Sequence, residues 1–357
     1  MALCCVNCFS DSFLQERIKE EGKPGTCDFC GKRSKYCVEP ETLRGMFEHV
    51  VNLYTPIEDF MPLHDLKQWD GEFIWEKLQN DWKIFETDDY QTQEKLVKAI
   101  FSGWSHDEGE PLFLTSYVED QDEYWGVEDD ASEKLKNLWK KFCEEIIYKN
   151  RYFIRKRLNL ELLGEILSFQ SHIIKAKSII YRTRISINRK FNKSEMGKPP
   201  IEMTPDGRAN PKGIPYLYVA TDIATAIEEV RPLVEDKVTV GKFMVKVPLR
   251  VIDLREPRID SPFRFGWDFD FVLRHLGFLR VLGLELSKPI NPRSAGLEYI
   301  PLQFLCEFIK KNGYDWVMYK SAVAAGNNLA IFDDAKVKCI NTSLYVVEKA
   351  ECKYRKE

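Results

Sequence analysis

Long apolar runs and a strong net charge are both missing from this sequence. No stretch approaches the roughly 20 apolar residues of a membrane helix, and the first residues lack a basic segment followed by a continuous apolar core. Lys plus Arg total 52 and Asp plus Glu total 56, so nucleic acid could be held only by a local basic patch. We therefore expect a cytoplasmic protein with neither a membrane nor a nucleic-acid partner.

Three common catalytic and phosphate-binding motifs are also missing. Without G-x-S-x-G, a serine hydrolase is not expected, and without a P-loop or G-x-G-x-x-G, the usual nucleotide and dinucleotide folds are not expected. The 357 residues are 44% apolar and 30% charged, which is typical of a globular chain long enough for two domains.

The ten cysteines are unevenly distributed, since six of them lie within the first 37 residues. Cys5-x2-Cys8 and Cys27-x2-Cys30 form two pairs separated by 18 residues, a spacing that suits a tetrahedral zinc ion. Four thiolates leave no open coordination position, so this spacing predicts a structural zinc knuckle. Cys4 and Cys37 remain alternative ligands.

Amphipathic helices follow the knuckle. Residues 41–54 place apolar side chains at positions i, i+3, i+4, i+7, i+8 and i+11, which predicts a helix with one buried face. Arg44 and His49 lie off that face, and their R-x4-H spacing resembles the ribonuclease motif of HEPN helical domains. A solvated helix face is the preferred interpretation, because nothing else in the sequence supports RNA chemistry. An acidic run over 119–130 reads as a solvated loop.

Short strands replace these helices after residue 175. Strands are predicted at 179–185, 216–220, 242–247, 251–254, 316–319, 328–332 and 337–347, with helices near 222–230, 268–280 and 301–312. Residues 186–216 are rich in Gly and Pro and predict a long functional loop. The fold class is α+β: a zinc knuckle (1–40), a helical domain (41–175) and a mixed-sheet domain (176–357).

The stretch from 207 to 230 combines three chemical groups on consecutive elements. Arg208 stands in a loop, Tyr218 in a strand and Glu229 at the edge of the buried stripe of an Asp-capped helix. A permanently charged guanidinium suits an anion, and a carboxylate there can face a cleft or form a salt bridge with Arg231. Arg182 on an earlier strand and Ser321 at a later strand end are further candidates.

Several motifs, taken together and in this order, resemble the RES family. They are Tyr181-Arg182, G-R-x-N-P-x-G at 207–213, L-Y-V-A at 217–220, T-A-x-x-E-V-R at 225–231, E-Y-x-P-x-Q at 298–303, and Tyr319-x-Ser321 with Asn328-Leu329. The resemblance covers roughly residues 176–345. The N-terminal half resembles, more loosely, the HEPN-like domain fused ahead of some RES domains.

The resemblance implies an ADP-ribosyltransferase-like fold and a toxin that consumes NAD⁺, usually neutralised by a helix-turn-helix antitoxin. It implies Arg208, Tyr218, Glu229 and Ser321 as catalytic residues, and Arg182, Arg208, Tyr218 and Asn328 as NAD⁺-binding residues. The acceptor stays open between water, phosphate and a macromolecule, and so does self-association. Two alternatives are a HEPN ribonuclease that uses Arg44 and His49, and a non-catalytic module that docks a partner.

Overall fold

The protein is described here from a computed structural model. It describes residues 2–56, 71–102, 112–114, 117–120, 130–155, 157–290 and 295–349. Residues 121–129 of the predicted acidic loop lie outside the described residues. Contacts divide the chain into two compact units: residues 1–130 with 259–274, and residues 131–258 with 275–357. Within the described residues, no helix has the length and apolar character needed to cross a membrane.

The helices of the described residues are labelled in chain order. They are α1 (Ser12–Glu21), α2 (Arg44–Val51), α3 (Ile74–Trp82), α4 (Tyr90–Ile100), α5 (Asp130–Tyr148), α6 (Leu160–Ser168), α7 (Ile223–Glu228), α8 (Phe269–Ser287) and α9 (Ala295–Lys311).

The strands are labelled in the same way. They are β1 (Cys4–Cys5), β2 (Lys23–Thr26), β3 (Arg33–Val38), β4 (Tyr54–Pro56), β5 (Glu72–Phe73), β6 (Tyr117–Asp120), β7 (Ser171–Ile174), β8 (Ile179–Ser186), β9 (Leu217–Ala220), β10 (Lys237–Val245), β11 (Leu249–Asp253), β12 (Trp316–Lys320), β13 (Asn327–Ile331) and β14 (Val337–Val346).

The first unit combines α1–α4 with two small antiparallel sheets, ordered β1-β3-β2 and β4-β6-β5. The predicted helix over 41–54 is shorter than its apolar pattern suggests. Pro40–Leu43 form a 3-10 turn before α2, and Tyr54 enters β4. Phe47 of α2 is fully buried and packs against Phe263, with ring centroids 4.8 Å apart. The segment 259–274 therefore completes the core of the first unit, which its position in the sequence does not suggest.

The second unit is built on an eight-stranded sheet in the order β14-β10-β8-β9-β13-β12-β11-β7. The β11–β12 pair is parallel and the other neighbours are antiparallel, so the sheet is mixed, as the predicted α+β class requires. Every strand predicted after residue 175 is present within a few residues of its expected bounds. Trp316 and Leu329 are fully buried in the core of this sheet.

The join between β8 and β9 is the weakest part of the sheet. β8 pairs with β10 over eight residues, whereas its register with β9 is the single pair Tyr181–Ala220. Backbone groups of β8 and β9 that do not bond to each other need other hydrogen-bond partners. The place where the two strands diverge can therefore hold a cavity. Helix α7 follows β9 directly and closes over this join.

Helix α7 is only six residues long, so its position depends on its first turn. The Asp222 carboxylate accepts hydrogen bonds from the backbone N–H and the hydroxyl of Thr225, both at 2.8 Å. A side chain added at Gly326 would clash with Asp222 and Thr225, so the loop after β12 packs directly on this cap. The predicted stripe of Ile223, Ala226, Ile227 and Val230 is less buried than expected: only Thr225 and Ala226 are buried.

We predict that Asp222→Ala lowers the free energy of unfolding by about 1 kcal/mol, because it removes the N-cap of α7. Burial alone would raise the pKa of Asp222, but the hydrogen bonds from Thr225 lower it below its usual value. The carboxylate therefore stabilises the fold above its unfolded pKa of about 3.9, and this contribution is lost as the pH falls through the lower folded pKa.

Urea unfolding of wild type, Asp222→Ala and Asp222→Asn checks the prediction. Asn still caps the helix but does not titrate, so wild type should lose stability relative to Asp222→Asn only at acidic pH. An Asp222→Ala midpoint equal to that of wild type would contradict it.

Candidate functional site

A cavity of about 300 Å³ opens where β8 and β9 diverge. It is surrounded by two strands on one side, by α7, and by the adjoining ends of β12 and β13. The lining residues are Tyr181, Arg182 and Thr183 from β8, Tyr218, Val219 and Ala220 from β9, Ala226, Glu229 and Val230 from and after α7, Tyr319 from β12 and Asn328 from β13.

Glu229 follows the last residue of α7, where its backbone N–H still bonds to the Thr225 carbonyl at 3.1 Å. Its carboxylate atom Oε1 accepts hydrogen bonds from Ser321 Oγ at 2.5 Å and from Asn328 Nδ2 at 2.6 Å. The Ser321 hydroxyl is itself oriented by the backbone N–H groups of Val323 and Ala324. Three residues predicted from separate motifs thus meet at one carboxylate, which remains exposed to solvent rather than half desolvated.

Arg182 also lines this cavity, and the Asp334 carboxylate is the opposite charge near it. Its Nη1 is buried and, among the described residues, has no hydrogen-bond partner. Burial, together with the nearby charge of Arg184, lowers the pKa of Arg182 to about 10, so the group stays cationic at neutral pH. Buried polar groups are nearly always paired in folded proteins, so an unpaired guanidinium in a cavity suits an anionic ligand.

Thr183 provides a second hydrogen-bonding group without a partner among the described residues, and no pattern in the sequence predicted it as a site residue. Thr183 follows Arg182 on β8 and lines the cavity, and its buried hydroxyl has no hydrogen-bond partner among the described residues. Arg184, two positions after Arg182 on the same strand, behaves differently, because it donates to the Glu195 carbonyl and stacks on Phe191. Nothing in the sequence predicts which of the two arginines, Arg182 or Arg184, has hydrogen-bond partners in the fold.

Tyr218 contributes its ring to the cavity and its hydroxyl to the loop before it. The hydroxyl donates to Asn210 Oδ1 at 2.7 Å and accepts from the Ala209 N–H at 2.9 Å. Gln303 of α9 also holds this loop, since its Nε2 donates to the carbonyls of Gly207 and Asn210. A side chain at Gly207 would clash with Asn210 and the Tyr218 hydroxyl, which explains the glycine there.

Arg208 is placed differently from the other candidates. Its Nη1 donates to the carbonyls of Leu286 and Lys288, at 2.6 and 2.8 Å, and so satisfies the C-terminal end of α8. It is not among the residues that line the cavity. In this structure, therefore, Arg182 and not Arg208 is the arginine that could contact an anion in the cavity. Arg208 instead holds its loop against the end of α8.

The lining residues include hydrogen-bond donors and one carboxylate. Burial raises the pKa of both Tyr218 and Tyr319, so their phenols stay protonated and act as hydrogen-bond donors. Glu229 is the carboxylate among the lining residues. The cavity thus combines one cation, one carboxylate and the aromatic rings of Tyr181, Tyr218 and Tyr319.

The R-x4-H pair of α2 lies in the first unit, and its arginine is already engaged. Arg44 donates to the backbone carbonyls of Ile100 and Ser102 at the end of α4. The His49 ring packs edge-on against Trp267 with centroids 4.1 Å apart. These contacts fit the structural interpretation of the pair better than a phosphodiester site.

The four cysteines predicted to bind metal converge at the start of the first unit. The sulfur atoms of Cys5, Cys8, Cys27 and Cys30 all lie within 4.8 Å of one another, and three of the pairs are 3.4 to 3.8 Å apart. Zinc–sulfur bonds of about 2.3 Å in a tetrahedron require sulfur separations of about 3.8 Å, so the donor set fits zinc.

Burial raises the pKa of Cys5 to about 12 and raises that of Cys8 as well, whereas the backbone favours the thiolate at Cys27. Burial alone would raise the pKa of Cys27, yet hydrogen bonds from the backbone N–H groups of Cys30 and Phe29 bring it below its usual value. Neither Cys4 nor Cys37 joins this cluster, which leaves the predicted set of four as the candidate ligands.

We predict that the purified protein holds one zinc ion per chain and that Cys8→Ser removes it. Loss of a structural zinc site removes much of the folding free energy of a small metal-held module, so the variant should also melt at a lower temperature. Metal analysis and thermal unfolding measure both effects. Cys37→Ser tests the alternative ligand and should keep its zinc, and Cys339→Ser, on β14 of the second unit, is the matched control. Full zinc content in Cys8→Ser would contradict the assignment.

Two protein-family models match this chain. The model of the RES domain matches residues 179–348, and the model of the HEPN/RES N-terminal domain 1 matches residues 20–159. The resemblance predicted for roughly 176–345, and the looser one for the N-terminal half, are both confirmed. A search of curated proteins found no match.

One solved structure that resembles the chain is titled the M. tuberculosis MbcT–MbcA toxin–antitoxin complex. It is 13% identical, covers 52% of this chain and 93% of its own, and superposes with a TM-score of 0.33, which is too low to support an argument. The two domain matches stand without it. The chain therefore carries a RES domain at residues 179–348, preceded by a HEPN/RES N-terminal domain at residues 20–159.

Proposed function

We propose that this protein cleaves the nicotinamide–ribose bond of NAD⁺. The observation that carries the proposal is that one cavity contains both an oriented carboxylate and a buried guanidinium without a hydrogen-bond partner among the described residues. Glu229 is held by Ser321 and Asn328, and Arg182 faces the same space without a partner among the described residues.

The carboxylate matches the charge that develops during this reaction. The bond between the ribose C1′ and the nicotinamide nitrogen breaks with both electrons going to the ring nitrogen, so nicotinamide leaves neutral. Positive charge then builds up on the ribose, as in glycoside hydrolysis. A carboxylate that is already oriented stabilises this charge without reorganising. The hydrogen bonds from Ser321 and Asn328 keep Glu229 in place for that role.

The guanidinium matches the other end of the substrate. The pyrophosphate of NAD⁺ is a permanent anion, and a guanidinium can bind it through two parallel hydrogen bonds. Thr183 also lines the cavity, and its hydroxyl supplies a further donor. The rings of Tyr218 and Tyr319 offer faces on which the nicotinamide can stack.

The proposed role of the protein is that of a toxin or defence effector, as its resemblance to RES toxins implies. On this view a separate antitoxin restrains it, and the N-terminal unit carries a structural zinc. The ADP-ribosyl group passes to water, to phosphate or to a macromolecule, and the three cases give free ADP-ribose, its 1″-phosphate or a labelled acceptor.

We predict that Glu229→Gln lowers kcat for nicotinamide release by about 10²–10³-fold, because the amide cannot stabilise the developing positive charge. Glu228→Gln is the matched control, since Glu228 is the neighbouring exposed carboxylate and does not line the cavity. Nicotinamide release from NAD⁺ is followed by chromatography, with and without phosphate.

Two outcomes would count against this assignment. An equal loss of kcat in Glu228→Gln would show that a change in the end of α7, and not the loss of the Glu229 carboxylate, lowers the activity. Intact NAD⁺ after long incubation of folded wild type, free of antitoxin, would remove the proposed function.

We predict that Arg182→Met raises KM for NAD⁺ by about tenfold or more, since a charge-assisted hydrogen bond contributes about 1.5–3 kcal/mol. Cleavage of nicotinamide riboside, which lacks phosphates, should be unaffected by the substitution. The variant should be at least as stable as wild type, because it removes a buried guanidinium that has no hydrogen-bond partner among the described residues. An equal loss with both substrates, or a lower melting temperature, would mean that Arg182 supports the fold and not the phosphates.

A further inference from the structure

A second cavity in the second unit is larger than the one around Glu229. It has a volume of about 470 Å³ and lies between the C-terminal half of α8, the residues after β11 and the last residue of β12. Cationic side chains dominate its charged lining, with Arg255, Arg280 and Lys320 among them. The proposed cleavage of NAD⁺ uses none of these residues.

Two of these cations can bind an anion: Arg280, and Lys320 once it exchanges its weak pairing with Glu256, which also lines the cavity. Arg280 uses its Nε to donate to the Pro257 carbonyl at 3.2 Å, and the structure records no carboxylate partner for its guanidinium among the described residues. Lys320 lies 3.3 Å from Glu256, but both side chains are at least half exposed, so this ion pair is weak and readily exchanged. Arg255, by contrast, is held by Asp253 through two of its nitrogens.

The floor of the cavity supplies two further features. Ser287, the last residue of α8, has a buried hydroxyl without a hydrogen-bond partner among the described residues. Pro257 and Leu284 provide apolar surface, and Leu284 is 68% exposed, which is unusual for a leucine on a packed helix. A cavity with an apolar floor and a few converging polar groups is the usual form of a small-molecule site.

We propose that this cavity binds a phosphorylated small molecule of nucleotide size. Its phosphates lie against Arg280 and Lys320 with the Ser287 hydroxyl as a further donor, and its apolar ring lies on Pro257 and Leu284. An acidic peptide would also suit the charge, but these groups converge in a cavity of small-molecule volume and do not extend along a groove.

This second cavity and the candidate active site share strand β12. Tyr319 lines one cavity and Lys320 the other, because neighbouring residues of a strand point to opposite faces. Arg208 donates to the two carbonyls that flank Ser287. An occupant of the second cavity thus touches Lys320, which directly precedes Ser321, and the end of α8, to which Arg208 of the 207–213 loop donates.

Calorimetric titration of the full-length protein with ATP tests the proposal at low ionic strength. Wild type should bind ATP, and Arg280→Met should bind at least tenfold more weakly. Lys320→Met provides a second variant at an exposed position, and it should weaken binding as well. Arg151→Met is the matched control, since Arg151 also donates its Nε to a backbone carbonyl but lies outside the cavity.

Arg182→Met separates this site from the NAD⁺ cavity, and it should bind ATP like wild type whether or not NAD⁺ is cleaved. Binding that survives in both Arg280→Met and Lys320→Met would overturn the proposal, and so would binding that is lost in Arg182→Met. Binding of a Glu-rich peptide in place of ATP would overturn it in favour of a protein partner. Urea unfolding and zinc content of each variant show that it is folded.

Discussion

The opening between β8 and β9 is the constraint on which the candidate active site depends. A sheet that pairs fully along both strands would bury Arg182 and Thr183 in a ladder-lined core, where their unpaired groups would destabilise the fold. Because the two strands share only the pair Tyr181–Ala220, their side chains line a space instead. Helix α7 then closes that space and brings Glu229 to its edge.

Around this opening, polar groups fall into two classes. Those that shape the site are satisfied: the Tyr218 hydroxyl and Gln303 hold the 207–213 loop, and Arg208 holds the end of α8. Those that face the cavity are not satisfied among the described residues, as at Arg182 and Thr183. An unpaired buried cation lowers stability, so its retention points to a ligand that completes it. The same reasoning applies, more weakly, to Ser287 and Arg280 in the second cavity.

The first unit is stabilised in a different way. Its sheets have three short strands each, and a core of aromatic side chains from several segments joins them. The four-cysteine cluster links the turns before α1 and before β3, so a metal there would replace core contacts that such short strands cannot make. The unit also contains Arg44 and His49, but the Arg44 guanidinium donates hydrogen bonds to backbone carbonyls at the end of α4.

Local pattern determined much of this protein. Strand periodicity, the Asp cap of α7 and the spacing of the cysteine pairs predicted the mixed α+β fold, the helix that carries Glu229 and the cluster of four thiols. Such features depend on neighbours a few residues away, so a sequence can express them. Only the tertiary structure decided that Arg182 is free while Arg184 and Arg208 are paired, and that Thr183 belongs to the cavity. The partners of Arg208 lie about 80 residues away, and packing between distant segments, not periodicity, selects such pairs.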